Sequence, residues 1–195
     1  MRKSVVRKFA LLVVIVGGFF ATMAAAQIPA TGNVYFGYTY YNTDLSLNRG
    51  NLNGWQGTLE GKVFPYVGIV ADLTGHYGTL NFADLCAVPL GGNGGGCVSG
   101  NVNASAHVYE ALFGPRVGIP IGKFRPFAEF EVGVGHVNTN GFGSNTSFAT
   151  SIGGGLDYKI FRPLAWRFEG DYIHTSFFST GQNNLRLSTG IVFRF

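Results

Sequence analysis

The stretch 186–195, RLSTGIVFRF, decides the fold. Every second residue, Leu187, Thr189, Ile191, Phe193 and Phe195, belongs to a mostly apolar set that closes on an aromatic. The residues between them, Arg186, Ser188, Gly190, Val192 and Arg194, include the two charges. A period of two is the strand period, because successive side chains point to opposite faces. A strand with arginines on one face and hydrocarbon on the other separates two environments, and the remaining sequence indicates which is inside.

The same alternation recurs in eight segments: 33–42, 53–64, 67–79, 105–119, 124–137, 147–159, 164–175 and 185–195. None shows a helical period, and their Gly, Thr and β-branched content favours strand. Tight connections (the PY after segment two, PIGK after four, IFRP after six) alternate with longer polar ones at 43–52, 80–104, 139–146 and 176–184. An even strand count with short turns on one side and longer loops on the other predicts an all-β fold. It is a closed eight-stranded antiparallel transmembrane β-barrel with short periplasmic turns and longer extracellular loops. Segments one and eight must then pair, since an open edge in hydrocarbon leaves backbone groups unsatisfied.

Charge parity favours the barrel over a secreted sandwich. Fourteen charged residues share one face of their strands: Glu60, Lys62, Asp72, Glu110, Arg116, Glu129, Glu131, Asp157, Lys159, Arg167, Glu169, Asp171, Arg186 and Arg194. The opposite parity carries residues such as Trp55, Leu59, Ile69, Leu73, Phe113, Phe130, Ile152, Trp166 and Phe168. An eight-stranded lumen is only wide enough for side chains, so charges inside it must pair. Inward glycines such as Gly133, Gly153 and Gly155 leave room for large neighbours. Phe64, Tyr66, Phe124, Tyr158, Phe161, Trp166, Phe193 and Phe195 gather toward the short turns, as an interfacial girdle would.

Composition agrees. Charged residues make up 12% of the 195 residues, about half the proportion of an ordinary soluble domain. Residues 1–26 read as a secretory signal, with a basic leader, the apolar core FALLVVIVGGFF and the small pair Ala24 and Ala26. The barrel domain is then 27–195. Without the signal, 10 basic residues balance 10 acidic ones, which gives no support to nucleic-acid binding. In the oxidising compartment that export implies, Cys86 and Cys97 in CAVPLGGNGGGC are expected to form a disulfide. GGNGGG lacks the Lys and helix of a phosphate cradle, and the four histidines share no ligand spacing. Neither a metal nor a cofactor is expected.

With its signal, strand and loop alternation and terminal GIVFRF, the chain resembles the small eight-stranded outer-membrane β-barrels, the group of OmpA-type barrel domains and opacity-type proteins. The resemblance implies integral residence in the bacterial outer membrane, among its lipid and lipopolysaccharide. It also implies that Leu187, Ile191, Phe193 and Phe195 form the assembly signal read by the barrel-insertion machinery. OmpA proteins proper continue into a peptidoglycan-binding domain, whereas this sequence closes on the barrel pattern.

Three functions fit such a barrel. The first is a structural or surface-interaction role with a filled, salt-bridged lumen, no chemistry, and loop partners the sequence does not name. The second is a narrow gated pore for ions or small solutes. The third is a lipid A-modifying hydrolase, because His174 and Ser176 resemble the His-x-Ser of the lipid A deacylases. That chemistry needs a base, a nucleophile and an acid to orient the imidazole. No Asp or Glu follows His174, and Phe177 stands where that family has Asn. Export predicts that N-terminal sequencing of the membrane-extracted protein begins at Gln27. A start at Met1 with the apolar stretch retained would contradict it.

Overall fold

The computed structural model describes residues 31–44, 50–82, 102–140 and 143–195. Within them run β1 (Gly32–Thr43), β2 (Gly50–Lys62), β3 (Val67–Phe82), β4 (Val102–Gly118), β5 (Phe124–Thr139), β6 (Gly143–Phe161), β7 (Leu164–Thr175) and β8 (Gln182–Arg194). A short 3-10 turn, Phe177–Ser179, precedes β8. Each strand pairs antiparallel with its chain neighbours, and β8 returns to β1 to close the barrel. At this seam Asn33 faces Arg194 and Tyr41 faces Arg186. The expected signal segment and the expected Cys86–Cys97 bridge lie outside the described residues.

Strand 186–195 partitions as its pattern predicts. Arg186, Ser188 and Val192 are buried, while Leu185, Leu187, Ile191, Phe193 and Phe195 are 38–48% exposed. The polar residue on the outer face, Thr189, is satisfied within the wall. The Trp166 indole donates to its hydroxyl at 2.8 Å, and the hydroxyl donates to the Arg167 carbonyl at 3.1 Å. A closed wall with exposed Leu, Ile, Val and Phe around it and arginines inside is an inside-out protein, apolar where a soluble domain is polar.

The short connections are as compact as the sequence suggests. In the β4–β5 turn Ile121 and Phe124 exchange backbone hydrogen bonds of 2.7 and 3.0 Å. Gly122 sits between them at φ 61°, a left-handed conformation that glycine adopts without strain. All eight aromatics expected at this rim are exposed.

On the opposite side the strands run further than expected. β3 and β4 continue to the pair Phe82–Val102, and β5 and β6 to Thr139–Gly143, through stretches read from sequence as loops. The reason is physical. Beyond the apolar band both faces of a hairpin meet water, so side-chain alternation fades while the backbone ladder continues. Pairs such as Asn81–Asn103 and Asn138–Ser144 carry no apolar pattern and still stand in register.

Phe168 lies at mid-height in β7 and is 58% exposed. Phe168→Arg should cost about 2–4 kcal/mol of folding free energy, and Ser144→Arg at the loop-side rim about 0–1 kcal/mol. Equilibrium urea unfolding in phospholipid vesicles measures both.

Candidate functional site

The lumen is built in layers by the inward residues of all eight strands. Nearest the short-turn mouth, Arg125 from β5 reaches Glu60 from β2 at 2.6 Å and Asp157 from β6 at 3.8 Å. Asp157 also holds Arg167 from β7 at 2.7 Å and Arg194 from β8 at 3.1 Å. In the next layer Arg116 from β4 meets Glu129 at 2.5 Å, Glu169 at 3.2 Å and Glu60 at 3.5 Å. The Phe127 ring separates two guanidiniums there, with Arg116 at 4.5 Å and Arg167 at 4.6 Å from its centroid. A Cβ on Gly155 would come within 2.7 Å of that ring, so glycine is what leaves the ring its space.

Above this, Arg186 from β8 spans to Asp72 on β3 at 2.6 Å, Asp171 on β7 at 2.8 Å and Glu110 on β4 at 3.7 Å. Gln56 joins the layers by donating to Asp72 at 3.0 Å and Glu169 at 2.6 Å. Glu110 in turn accepts from the Tyr41 hydroxyl at 2.8 Å and from Thr74 at 3.2 Å. Toward the loop side the lumen is mixed: Asn184 accepts from the Thr43 hydroxyl at 3.0 Å and donates to Thr175 at 3.1 Å, beside a set of apolar residues. Tyr41, Leu52, Leu80, Ala106, Val108, Val137, Ile173 and Phe177 form one buried cluster across it.

Of the fourteen charged residues expected inside, twelve are placed in this lumen, Arg194 at its edge. Lys62 and Lys159 are a correction: both stand at the short-turn mouth, Lys62 half-exposed and Lys159 exposed. Lys62 is the last residue of β2, where the lumen opens, and β6 shifts register between Lys159 and Phe161. Neither lysine forms an ion pair among the described residues. Arg125 and Phe127, absent from the expected set, share the parity of Glu129 and Glu131 and could have been found by it. His76 is fully buried, with Nε2 3.1 Å from the Thr39 hydroxyl and its ring 4.3 Å from that of Tyr41. Its parity with Asp72 and Thr74 carried that information.

Five arginines thus face eight carboxylates. Glu131 is 1% exposed, and both its carboxylate oxygens lack a hydrogen-bond partner. Oxygens of Glu129, Glu169 and Asp171 lie within 4.8 Å of one another, and each of these residues already holds an arginine. The arrangement is a set of cross-braces between walls.

His174 and Ser176 lie outside the lumen, both exposed. His174 Nδ1 is 2.8 Å from Asn183 Oδ1, and the Ser176 backbone N–H donates to Ser147 Oγ at 3.2 Å. Among the described residues no hydrogen bond joins His174 to Ser176, and no carboxylate reaches either one. The nucleophile–base contact that hydrolysis requires is not made here.

Removing one member of a buried ion pair leaves its partners uncompensated. Arg186→Met should cost about 3–5 kcal/mol, because Asp72 and Asp171 lose their cation. Adding Asp72→Asn and Asp171→Asn to the same variant should restore most of that loss. Urea unfolding in vesicles reads both effects.

No protein-family model matches the sequence, and no curated protein matches it. Solved structures match it by shape. The neisserial surface protein A, NspA, superposes with a TM-score of 0.64 at 11% identity, covering 84% of this chain and 97% of that one. OprG from Pseudomonas aeruginosa gives 0.54 at 9% identity, covering 85% and 95%. Ail, the attachment invasion locus protein of Yersinia pestis, gives 0.52 at 13% identity, covering 85% and 98%. At these identities the likeness is one of fold. With its closed wall, apolar exterior and charged interior, the chain is an eight-stranded β-barrel of the bacterial outer-membrane type.

Proposed function

We propose that this chain is an integral outer-membrane protein with a structural or surface-interaction role, working through its exterior and loops while its lumen stays sealed. One observation carries the reading. Arg116, Arg167 and Arg186 fill the lumen with ion pairs, and the cluster from Tyr41 to Phe177 blocks it again above them. An ion crossing the barrel would have to break several of those pairs and then pass a close-packed layer of neutral side chains. Eight strands leave no spare width for a path around them. The partners of the wall are outer-membrane lipid and lipopolysaccharide. Leu187, Ile191, Phe193 and Phe195 serve as the segment the insertion machinery reads. The fold accommodates a surface role, since Ail is named as an attachment invasion locus protein.

The experiment is conductance in a planar lipid bilayer, run beside an assay of lipid A acyl chains in cells producing the protein. The expected record is silent, and lipid A keeps its chains. Phe177→Gly alone should leave the barrel silent, because the arginine layers still close it. Sustained unitary currents from the unaltered protein would replace this reading with a pore, and deacylated lipid A with an enzyme.

A further inference from the structure

The charged side chains exposed at the short-turn mouth are all of one sign. Lys62, Lys123, Lys159, Arg162 and Arg194 surround it. Every described side-chain carboxylate except that of Asp44, at the opposite rim, is buried. Between Lys62, Lys159, Arg162 and Arg194 lies a cavity of about 500 Å³, bordered by Thr31, Asn33, Phe161 and Phe195. Among the described residues, Arg194 alone of these four cations has a counterion, Asp157 at 3.1 Å, and its Nε is buried without a partner. The Asn33 amide is already engaged by Glu60 at 2.8 Å.

The frame of the cavity is fixed by backbone. Gly32 and Phe195 exchange hydrogen bonds of 2.9 and 3.0 Å, Lys62 N–H donates to Thr31 at 3.2 Å, and Arg194 N–H donates to Pro163 at 2.9 Å. Cations gathered around one cavity repel one another, and their donors have more capacity than the protein supplies acceptors. A tetrahedral phosphate answers both problems: it brings negative charge and several acceptor oxygens, and a guanidinium fork binds it in two-point geometry. Phe161 and Phe195, exposed beside the cations, suit a ligand that is apolar next to its charge.

We propose that this mouth is a binding site for a phosphate group. The group could come from the headgroup of an anionic phospholipid in the adjoining leaflet or from a soluble phosphate ester. The site depends on the mouth alone and is independent of the role proposed for the loops.

The test compares the refolded protein with the triple variant Lys62→Gln/Lys159→Gln/Arg162→Gln, leaving Arg194 and its ion pair in place. Heat-modifiable gel mobility confirms folding. In one arm, mass spectrometry of the intact protein from mixed micelles counts retained phosphatidylglycerol against phosphatidylcholine. In the other, inorganic phosphate and glycerol phosphate are titrated against the side-chain NMR signals of Arg and Lys. The expected result is selective, saturable binding that falls roughly a hundredfold in the triple variant. Binding of phosphatidylglycerol alone assigns the site to lipid, and binding of the soluble anions as well assigns it to phosphate in general. Should the triple variant not fold, Arg162→Gln in the turn should weaken binding about fivefold. Equal retention of the two lipids with no saturable shift would overturn the proposal, as would unchanged affinity in a folded variant.

Discussion

A peptide backbone inside hydrocarbon must find every hydrogen-bond partner within its own structure, and the rest of this molecule follows from that demand. It is why β8 has to return to β1 and why the wall has no edge. Closure with eight strands makes the lumen narrow, and a narrow lumen excludes bulk water. Once water is excluded, unpaired inward charge is costly, so the interior is a lattice of arginines and carboxylates, with Glu131 outside it. The apolar exterior is the other half of the same solution.

The fold was legible because the wall obeys parity. The alternation in 186–195 assigns Arg186 inward and Phe193 outward, and the structure places them so. Parity becomes unreliable at the ends of strands. Lys62 and Lys159 keep the inward phase where the lumen has already opened to solvent, so phase alone could not tell a braced charge from a free one. The strand extensions beyond the membrane band, such as Asn138–Ser144, were invisible because water on both faces removes the pattern. Phe127 was obscured for a different reason. An aromatic in a barrel sequence suggests lipid, yet its place two residues before Glu129 put it among the charges. The apolar cluster on the loop side also escaped a reading that followed only charged residues inward.

The His-x-Ser pair shows the limit of a motif without its geometry. His174 and Ser176 are two apart on or beside one strand, so both point outward, yet the imidazole is engaged by Asn183 and the serine by the neighbouring strand. Sequence spacing put the residues on one face. It did not put the reacting atoms in contact. The lumen is a firmer guide to function, because its two ends differ in kind: ion pairs toward the short turns, and neutral side chains, apolar and hydrogen-bonded together, beneath the loops. In the sealed barrel proposed above the two would oppose a permeating ion by different physics, one through its desolvation and the other through close packing.

Consider last the directions in which the arginines point. Arg186 runs from β8 to β3, and Arg116 from β4 to β2 and β7, so these side chains cross the interior to partners on non-adjacent strands. Asp157 gathers Arg125, Arg167 and Arg194 from three strands onto one carboxylate. Mechanically these are the spokes of a wheel whose rim is the hydrogen-bonded wall. A rim alone resists stretching but can be squeezed into an oval at little cost, since bending a sheet breaks no hydrogen bonds. Spokes in several directions make every such flattening lengthen some ion pair. The lateral pressure of the surrounding lipid therefore meets a tube braced against flattening.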